Sequence, residues 1–346
     1  MLGLLAVLLW PAPPSARAET GDDFAHQVGA KTLGKEIAPL VLTTIDGQRL
    51  DLGALRGRKA VYLKFWATWC VPCREQMPHF EKAYRQSGED LQVVAVNIGF
   101  DDTVEQIRDF RRELRLSMPM VRDDGRLGEL FGLRVTPQHV LIGKDGRIAY
   151  VGHSVDAKLE RALAQARSAE APATAGAAVA ATDGKAPATT RARALGVGGA
   201  VPTMPLTTLE SRALALSDPV RRRSSVLVFL SPWCESYFAK TRPESSRECR
   251  SAREQLVALG RDRSVRWVGV VSGLWASEQD LREYRDKYRI PVPLALDRDG
   301  TVFRRFGIDR VPVMIVVDAQ GRVQRRVEIG ERSGLALNEF LAAAGG

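Results

Sequence analysis

The chain has 346 residues, of which 45% are hydrophobic and 26% charged, with a formal net charge of +9. That length and balance suit two globular domains with proper cores and exclude a disordered or fibrous chain. The positive charge is mostly arginine and dispersed, so it reads as a solubilising surface with a mild bias toward acidic partners, and no nucleic-acid motif accompanies it.

Residues 2–10 form an apolar run too short to span a bilayer, and Ala16-Arg17-Ala18 supplies a small-x-small cleavage site. Residues 1–18 are therefore expected to be a secretory signal peptide lacking a basic n-region, and the mature chain to reach a bacterial periplasm. Residues 39–52 alternate well and carry Asp46-Gly47 at the bend, which predicts a β-hairpin. An apolar run over 60–66 predicts a buried strand, and a helix is predicted after Cys70.

Cys70-Val71-Pro72-Cys73 thus falls where a strand gives way to a helix N-terminus. Free N–H groups and the positive dipole end there favour a thiolate, which makes Cys70 a nucleophile. Cys73 is close enough to resolve a mixed disulfide. Two other readings compete with exchange. A closed zinc site needs four ligands, and Cys234 and Cys249 form no second CxxC. A structural bridge over two intervening residues restricts little unfolded chain.

Further on come a strand over 92–97, a helix over 103–116 and a short helix through Leu127, Leu130 and Phe131. Strands over 139–143 and 147–151 flank Asp145-Gly146, and a helix over 155–166 closes the first domain.

Lys64-Phe65-Trp66-Ala67-Thr68-Trp69-Cys70-Val71-Pro72-Cys73, with Val135-Thr136-Pro137 before an apolar run, resembles the TlpA/ResA-like thiol–disulfide oxidoreductases of the thioredoxin superfamily. The resemblance implies a cis proline at Pro137 facing the CxxC. It implies a docking surface of Trp69, Thr136 and Pro137, no cofactor beyond the redox disulfide, and a membrane electron donor for re-reduction. The implied substrates are protein disulfides, such as the haem-binding thiols of apocytochrome c or copper-site thiols of respiratory-oxidase assembly factors. That family often has glutamate three residues after the second cysteine. Here that position is Gln76 and the acid is Glu75, about 100° around the helix; with Lys64, Glu75 is the candidate proton support, from a helix position that puts the shuttling role in question. Lys64 stands where thioredoxins commonly carry a buried aspartate. It either supports the thiols, as a charge or as a buried proton acceptor, or snorkels to solvent.

Residues 168–200 are rich in Ala, Thr, Gly and Pro and are expected to be a disordered linker. Beyond them the first pattern returns. Leu42-Thr43-Thr44-Ile45 reappears as Leu206-Thr207-Thr208-Leu209 and Trp69-Cys70 as Trp233-Cys234, both 164 positions on. Gly125, Gly132, Pro137 and Gly146 reappear 175 positions on, as Gly300, Gly307, Pro312 and Gly321. This predicts an α/β architecture of two tandem thioredoxin-like domains, 19–167 and 201–346, each a mixed sheet flanked by helices with an added N-terminal hairpin.

The second copy has Tyr237 where the second cysteine should be and Val228 in place of Lys64. Cys234 and Cys249 admit three readings: a structural bridge, a wide-spaced redox relay, or two free thiols. The remaining role of this copy is substrate docking or partner binding. His26, His79, His139 and His153 form no ligand-spaced pair, so no metal is expected. A copper-carrying alternative would borrow Cys70, Cys73 and His139. A redox scaffold and a peroxiredoxin-like thiol peroxidase complete the alternatives, although the Pro-x-x-x-Thr-x-x-Cys pattern of the latter is absent.

Overall fold

A computed structural model describes residues 19–170, 194–261 and 264–328. The signal peptide read at 1–18 and the stretch 171–193 of the expected linker lie outside the described residues.

The first unit opens with α1 (Gly21–Thr32), which the sequence reading did not anticipate. A capping box between Thr20 and Asp23 starts it, and Phe24, Ala25 and Val28 are buried. The expected hairpin follows as β1 (Val41–Thr43) and β2 (Arg49–Asp51). Then come β3 (Ala60–Trp66), α2 (Val71–Arg85), β4 (Leu91–Asn97), α3 (Val104–Glu113) and β5 (Met120–Arg122). The unit ends with α4 (Arg126–Leu130), β6 (Gln138–Ile142), β7 (Ile148–Gly152) and α5 (Ala157–Ser168).

The strands form one sheet in the order β5-β4-β3-β6-β7. β3 is central, parallel to β4 and antiparallel to β6, and all seven of its residues are buried. A strand covered on both faces reads as a continuous apolar run, which is why β3 was legible and why Lys64 within it is conspicuous. β3 delivers the chain to Cys70, and α2 starts at once behind it.

The second unit contains β8 (Ser225–Leu230), α6 (Cys234–Thr241), α7 (Pro243–Leu259), β9 (Arg266–Ser272) and α8 (Glu278–Tyr288). It continues with β10 (Leu294–Asp297), α9 (Thr301–Arg305), β11 (Val313–Val317) and β12 (Val323–Glu328). Its sheet order, β10-β9-β8-β11-β12, repeats that of the first unit. Gly125 and Gly300 both cap short helices at positive φ, 96° and 71°, a conformation that favours glycine. Thr136-Pro137 and Val311-Pro312 are both cis.

Two expectations need correcting. The second unit has no strand-built N-terminal hairpin among the described residues: across the equivalent bend stands an isolated antiparallel bridge, Thr207 to Ala213. Nor do 168–200 behave throughout as a linker. α5 runs to Ser168, and 194–200 lie along the second sheet. Leu195 N–H donates to Arg305, Gly198 N–H to Val323, and Ala200 bridges Arg322. Small residues bury little surface, yet their backbone still satisfies a sheet edge.

Candidate active site

Cys70 is the N-cap of α2 and its sulfur accepts from Cys73 N–H at 3.2 Å. Cys70 and Cys73 are bridged, with Cα atoms 5.2 Å apart. Pro72 sits in the first turn, where its missing N–H costs nothing. On reduction the same N–H and the helix terminus stabilise a Cys70 thiolate.

The preceding loop is fixed by Asp102. Its carboxylate accepts from Thr68 N–H at 2.8 Å, Thr68 Oγ1 at 2.6 Å and Asn97 Nδ2 at 2.6 Å. Trp69 Nε1–H donates to the Phe100 carbonyl at 2.8 Å. On the other side, Gln138 pairs with Phe65, so cis-Pro137 lies at the Cys70 end of β3. The Pro137 carbonyl meets His153 Nδ1 at 2.7 Å, and Gln76 Nε2 donates to the His153 carbonyl at 3.2 Å. α2 and the cis-proline loop are thereby tied together.

Lys64 has no exposed surface. Its Nζ lies 3.5 Å from the Cys73 carbonyl and 3.4 Å from Gln76 Oε1. Burial brings its pKa down to about 7. Gln76 Oε1 also meets His139 Nε2 at 2.9 Å, and His139 Nδ1 meets the Tyr62 hydroxyl at 2.8 Å. Gln76 Oε1 can only accept, so Nε2 carries the imidazole proton and Tyr62 donates to Nδ1. Burial, with the Lys64 charge as a lesser cause, holds His139 well below its ordinary pKa, so it stays neutral. The result is a buried chain of polar groups from the Cys73 carbonyl through Lys64, Gln76 and His139 to Tyr62.

The structure therefore brings Lys64, Trp69, Cys70, Cys73, Thr136 and Pro137 to one locus and leaves Glu75 exposed on α2. The snorkelling reading of Lys64 does not hold. Sequence reasoning noted Gln76 as a departure but missed its bridging position. His139, named as a copper ligand, spends both ring nitrogens on Tyr62 and Gln76. Among the described residues no cluster of three or more His, Cys, Asp or Glu is arranged to hold a metal. Cys234 and Cys249 are bridged to each other, tying α6 to α7, and Cys249 Sγ lies 3.9 Å from the carbonyl of Val311, beside cis-Pro312.

The docking surface expected at Trp69, Thr136 and Pro137 is covered. Cys70 is 1% exposed, Cys73 0% and Trp69 4%. The cover is the second unit. Trp233 stacks on Trp69 with ring centroids 5.4 Å apart, and Phe238 meets the same indole edge-on at 5.4 Å. The Tyr237 hydroxyl accepts from Val71 N–H at 3.0 Å. Trp275 Nε1–H donates to Thr136 Oγ1 at 3.1 Å. Arg242 donates to Thr68 Oγ1 at 2.7 Å and to both Asp101 and Asp102, at 2.9 and 2.6 Å.

The contacts repeat in reverse, as a two-fold relation between the units requires. Trp275 N–H donates to the Arg134 carbonyl at 2.9 Å, and Asp101 N–H to the Asp309 carbonyl at 2.6 Å. Trp69 Nε1–H binds the Phe100 carbonyl, and Trp233 Nε1–H the Leu274 carbonyl, each at 2.8 Å.

A CxxC at a helix N-terminus, a cis proline opposite and this sheet order define a thioredoxin fold with a thiol–disulfide exchange site. Residues 33–151 match the AhpC/TSA family. The chain is 31% identical to the thiol-disulfide oxidoreductase ResA of Bacillus thuringiensis (strain Al Hakam) over 132 residues, covering 37% of this chain and 75% of that protein. It is likewise 31% identical to the thioredoxin-like protein YneN of Bacillus subtilis (strain 168), covering 38% of this chain and 78% of that one. The exposed lipoprotein thioredoxin of Streptococcus pneumoniae is a solved structure 27% identical, with a TM-score of 0.34, covering 37% of this chain and 99% of that one. The chain belongs to the ResA-like thiol–disulfide oxidoreductases of the thioredoxin superfamily, and it is an enzyme of thiol–disulfide exchange.

Proposed function

We propose that the protein is an exported reductase of protein disulfides, of the kind that serves cytochrome c or respiratory-oxidase assembly, and that its second unit is a degenerate thioredoxin-like domain. Cys70 thiolate attacks a substrate disulfide and forms a mixed disulfide, releasing one substrate thiolate. Cys73, as thiolate, attacks Cys70 Sγ, frees the second substrate thiolate and leaves the Cys70–Cys73 bridge. A membrane electron donor then re-reduces it. Export to a periplasm rests on the apolar leader and cleavage pattern. No helix among the described residues is long and apolar enough to cross a membrane.

Cys73 is fully buried, so solvent cannot take its proton before that second attack. Lys64 is the buried amine beside it, and a pKa of about 7 leaves it partly neutral at working pH. We assign it as the proton acceptor for Cys73, with Gln76 orienting its head.

We rest the reductase direction on the groups placed around the two sulfurs. Cys70 Sγ accepts a backbone N–H at a helix terminus, while the amine lies by the Cys73 carbonyl and is not permanently charged. A weakly stabilised thiolate gives a reducing couple. Equilibration of the full chain with dithiothreitol or glutathione, following the Cys70–Cys73 peptide by mass, is expected to give about −250 mV or lower, the thioredoxin side of the scale. A value near about −120 mV, on the oxidant side, overturns the direction.

A further inference from the structure

We infer that the second unit is a built-in pseudo-substrate: it holds the CxxC closed to protein disulfides and must swing away before one can react. The inference rests on the reading of Cys70 as the nucleophile toward protein disulfides.

Three parts of the active face need to meet a polypeptide substrate, and the second unit occupies all three. The loop before Cys70 is held by Arg242, which bridges Thr68, Asp101 and Asp102. The first turn of α2 has a free donor at Val71 N–H, and the Tyr237 hydroxyl takes it. The cis-proline loop offers the Arg134 carbonyl and Thr136 Oγ1, and Trp275 takes both, through N–H and Nε1–H. Arg134 in turn donates to the Gly273 and Ala276 carbonyls, each at 3.0 Å. Two of them, the Val71 N–H and the Arg134 carbonyl, are a backbone donor and acceptor of the sort an extended substrate segment uses, filled here by the chain itself.

Tyr237 stands where the resolving cysteine of the second unit would be. A tyrosine there leaves no second thiol two residues beyond Glu235 and sets a phenol against the first site. Exchange also requires an incoming sulfur to line up with the sulfur it attacks. With Cys70 1% exposed, no protein disulfide reaches that line in the closed form. An open groove of about 360 Å³, bordered by Thr68, Cys70, Val71, Arg74 and Arg242, does run along the edge of the site. The closed form therefore discriminates by size: small thiol reagents approach through the groove, whereas proteins wait for opening.

Opening must break the Arg242 ion pairs and the Trp69–Trp233 stack, at an interface between units of one chain of the kind that resembles a transient protein complex. If only a fraction of molecules is open, the apparent affinity for a protein substrate falls by that fraction. Weakening the cover raises turnover of proteins until the open form dominates.

The test uses the full chain, reduced at Cys70–Cys73. Labelling of Cys70 is timed with N-ethylmaleimide and with a 5-kDa polyethylene-glycol maleimide, each normalised to the urea-unfolded chain. The large reagent is expected to lag the small one by at least ~10-fold in the native protein, and the lag to vanish in Tyr237→Ala/Arg242→Ala. Insulin reduction by that variant is expected to rise by at least ~10-fold, and by a larger factor than reduction of a small aromatic disulfide does. Equal labelling by both reagents in the native protein overturns the inference and needs no variant. So does a folded variant that loses the labelling lag without gaining insulin turnover. If the native protein fails to reduce even the small disulfide, the reductase reading falls instead, while the labelling ratio still decides the closure.

Discussion

The two units share a sheet order, a cis proline and a tryptophan whose indole N–H reaches a loop carbonyl, and they differ at the buried lysine and at the second cysteine. Lys64 in β3 becomes Val228 in β8, and Cys73 in α2 becomes Tyr237 in α6. Where the first unit has a buried amine within 3.5 Å of the Cys73 carbonyl, the second has an apolar core. Its cysteines join two helices fifteen residues apart in sequence rather than the two ends of a single turn. Sheet, turns and cis proline do not depend on those residues, so the same scaffold stands with or without them. What the second unit has at that place is contact: Tyr237, Phe238 and Arg242 all belong to or flank the helix that follows Cys234.

The sharpest way to break this comparison is to remove the sulfur chemistry of each unit in turn. Cys70→Ser is expected to abolish insulin reduction to the level of the blank, because no other sulfur at the site can begin exchange. Cys234→Ser paired with Cys249→Ser is expected to keep the exchange chemistry of Cys70. If the paired variant also loses reduction of a small disulfide while remaining folded, the second unit is a redox partner and the asymmetry drawn above is wrong.

Lys64→Met makes the first unit resemble the second. Resolution by Cys73 is expected to slow by roughly 10²–10⁴, the range for a removed proton acceptor, with accumulation of the mixed disulfide in rapid-quench samples. The inflection near pH 7 in the rate profile should disappear with it. Stability should move the other way. Folding lowers the Lys64 pKa from 10.5 to about 7, so between those values the unfolded chain holds a proton that the folded chain lacks, and native stability rises with pH across that window. Below pH 7 the charged amine stays buried and the burden is complete. Lys64→Met is therefore expected to melt higher than the native protein at about pH 6, with the difference shrinking toward about pH 10.

Much of the first unit was legible because its signals are local. β3 is a continuous apolar run, the CxxC follows it, and Asp-Gly and Gly positions punctuate the turns. The repeat was legible because matched glycines and prolines serve backbone conformations that few other residues adopt. α1 was missed since its buried face is small, Phe24, Ala25 and Val28, and its capping box uses Asp23 where Glu or Gln is the usual signal. The Lys64–Gln76–His139–Tyr62 chain was half visible: Lys64 and Gln76 stood out, but their meeting depends on the register of β3 with β6, which places Lys64 opposite His139. The closure of the site was not legible at all. Tyr237 reads in sequence as a lost cysteine, and nothing local tells that its hydroxyl reaches a residue 166 positions earlier.

The Cys234–Cys249 bridge gives a smaller effect. Replacing both cysteines by serine is expected to lower stability by about 3 kcal/mol, the loop entropy that a cross-link over fifteen residues removes from the unfolded chain. Denaturant melts at constant protein concentration check it. Because α6 carries Tyr237 and α7 is tied to it there, the same variant should also label faster at Cys70 with the large maleimide. A loss of stability with no change in labelling would mean that the bridge braces the core and not the cover.

Gln76→Glu gives the smallest effect and separates the two proton routes. It restores the acid common in the family, 3.4 Å from Lys64 Nζ. A carboxylate there favours the charged amine, and an opposite charge at that range raises an amine's pKa by about 1 or more. If Lys64 accepts the Cys73 proton, charging it at neutral pH removes the acceptor. The rate profile then moves alkaline, and the rate at neutral pH falls about tenfold for each pH unit the profile moves. If the new carboxylate accepts the proton itself, the profile moves acid and the rate at neutral pH is kept. An acid-ward move would place the proton path on the side chain at position 76 and leave Lys64 as a side chain the fold merely tolerates.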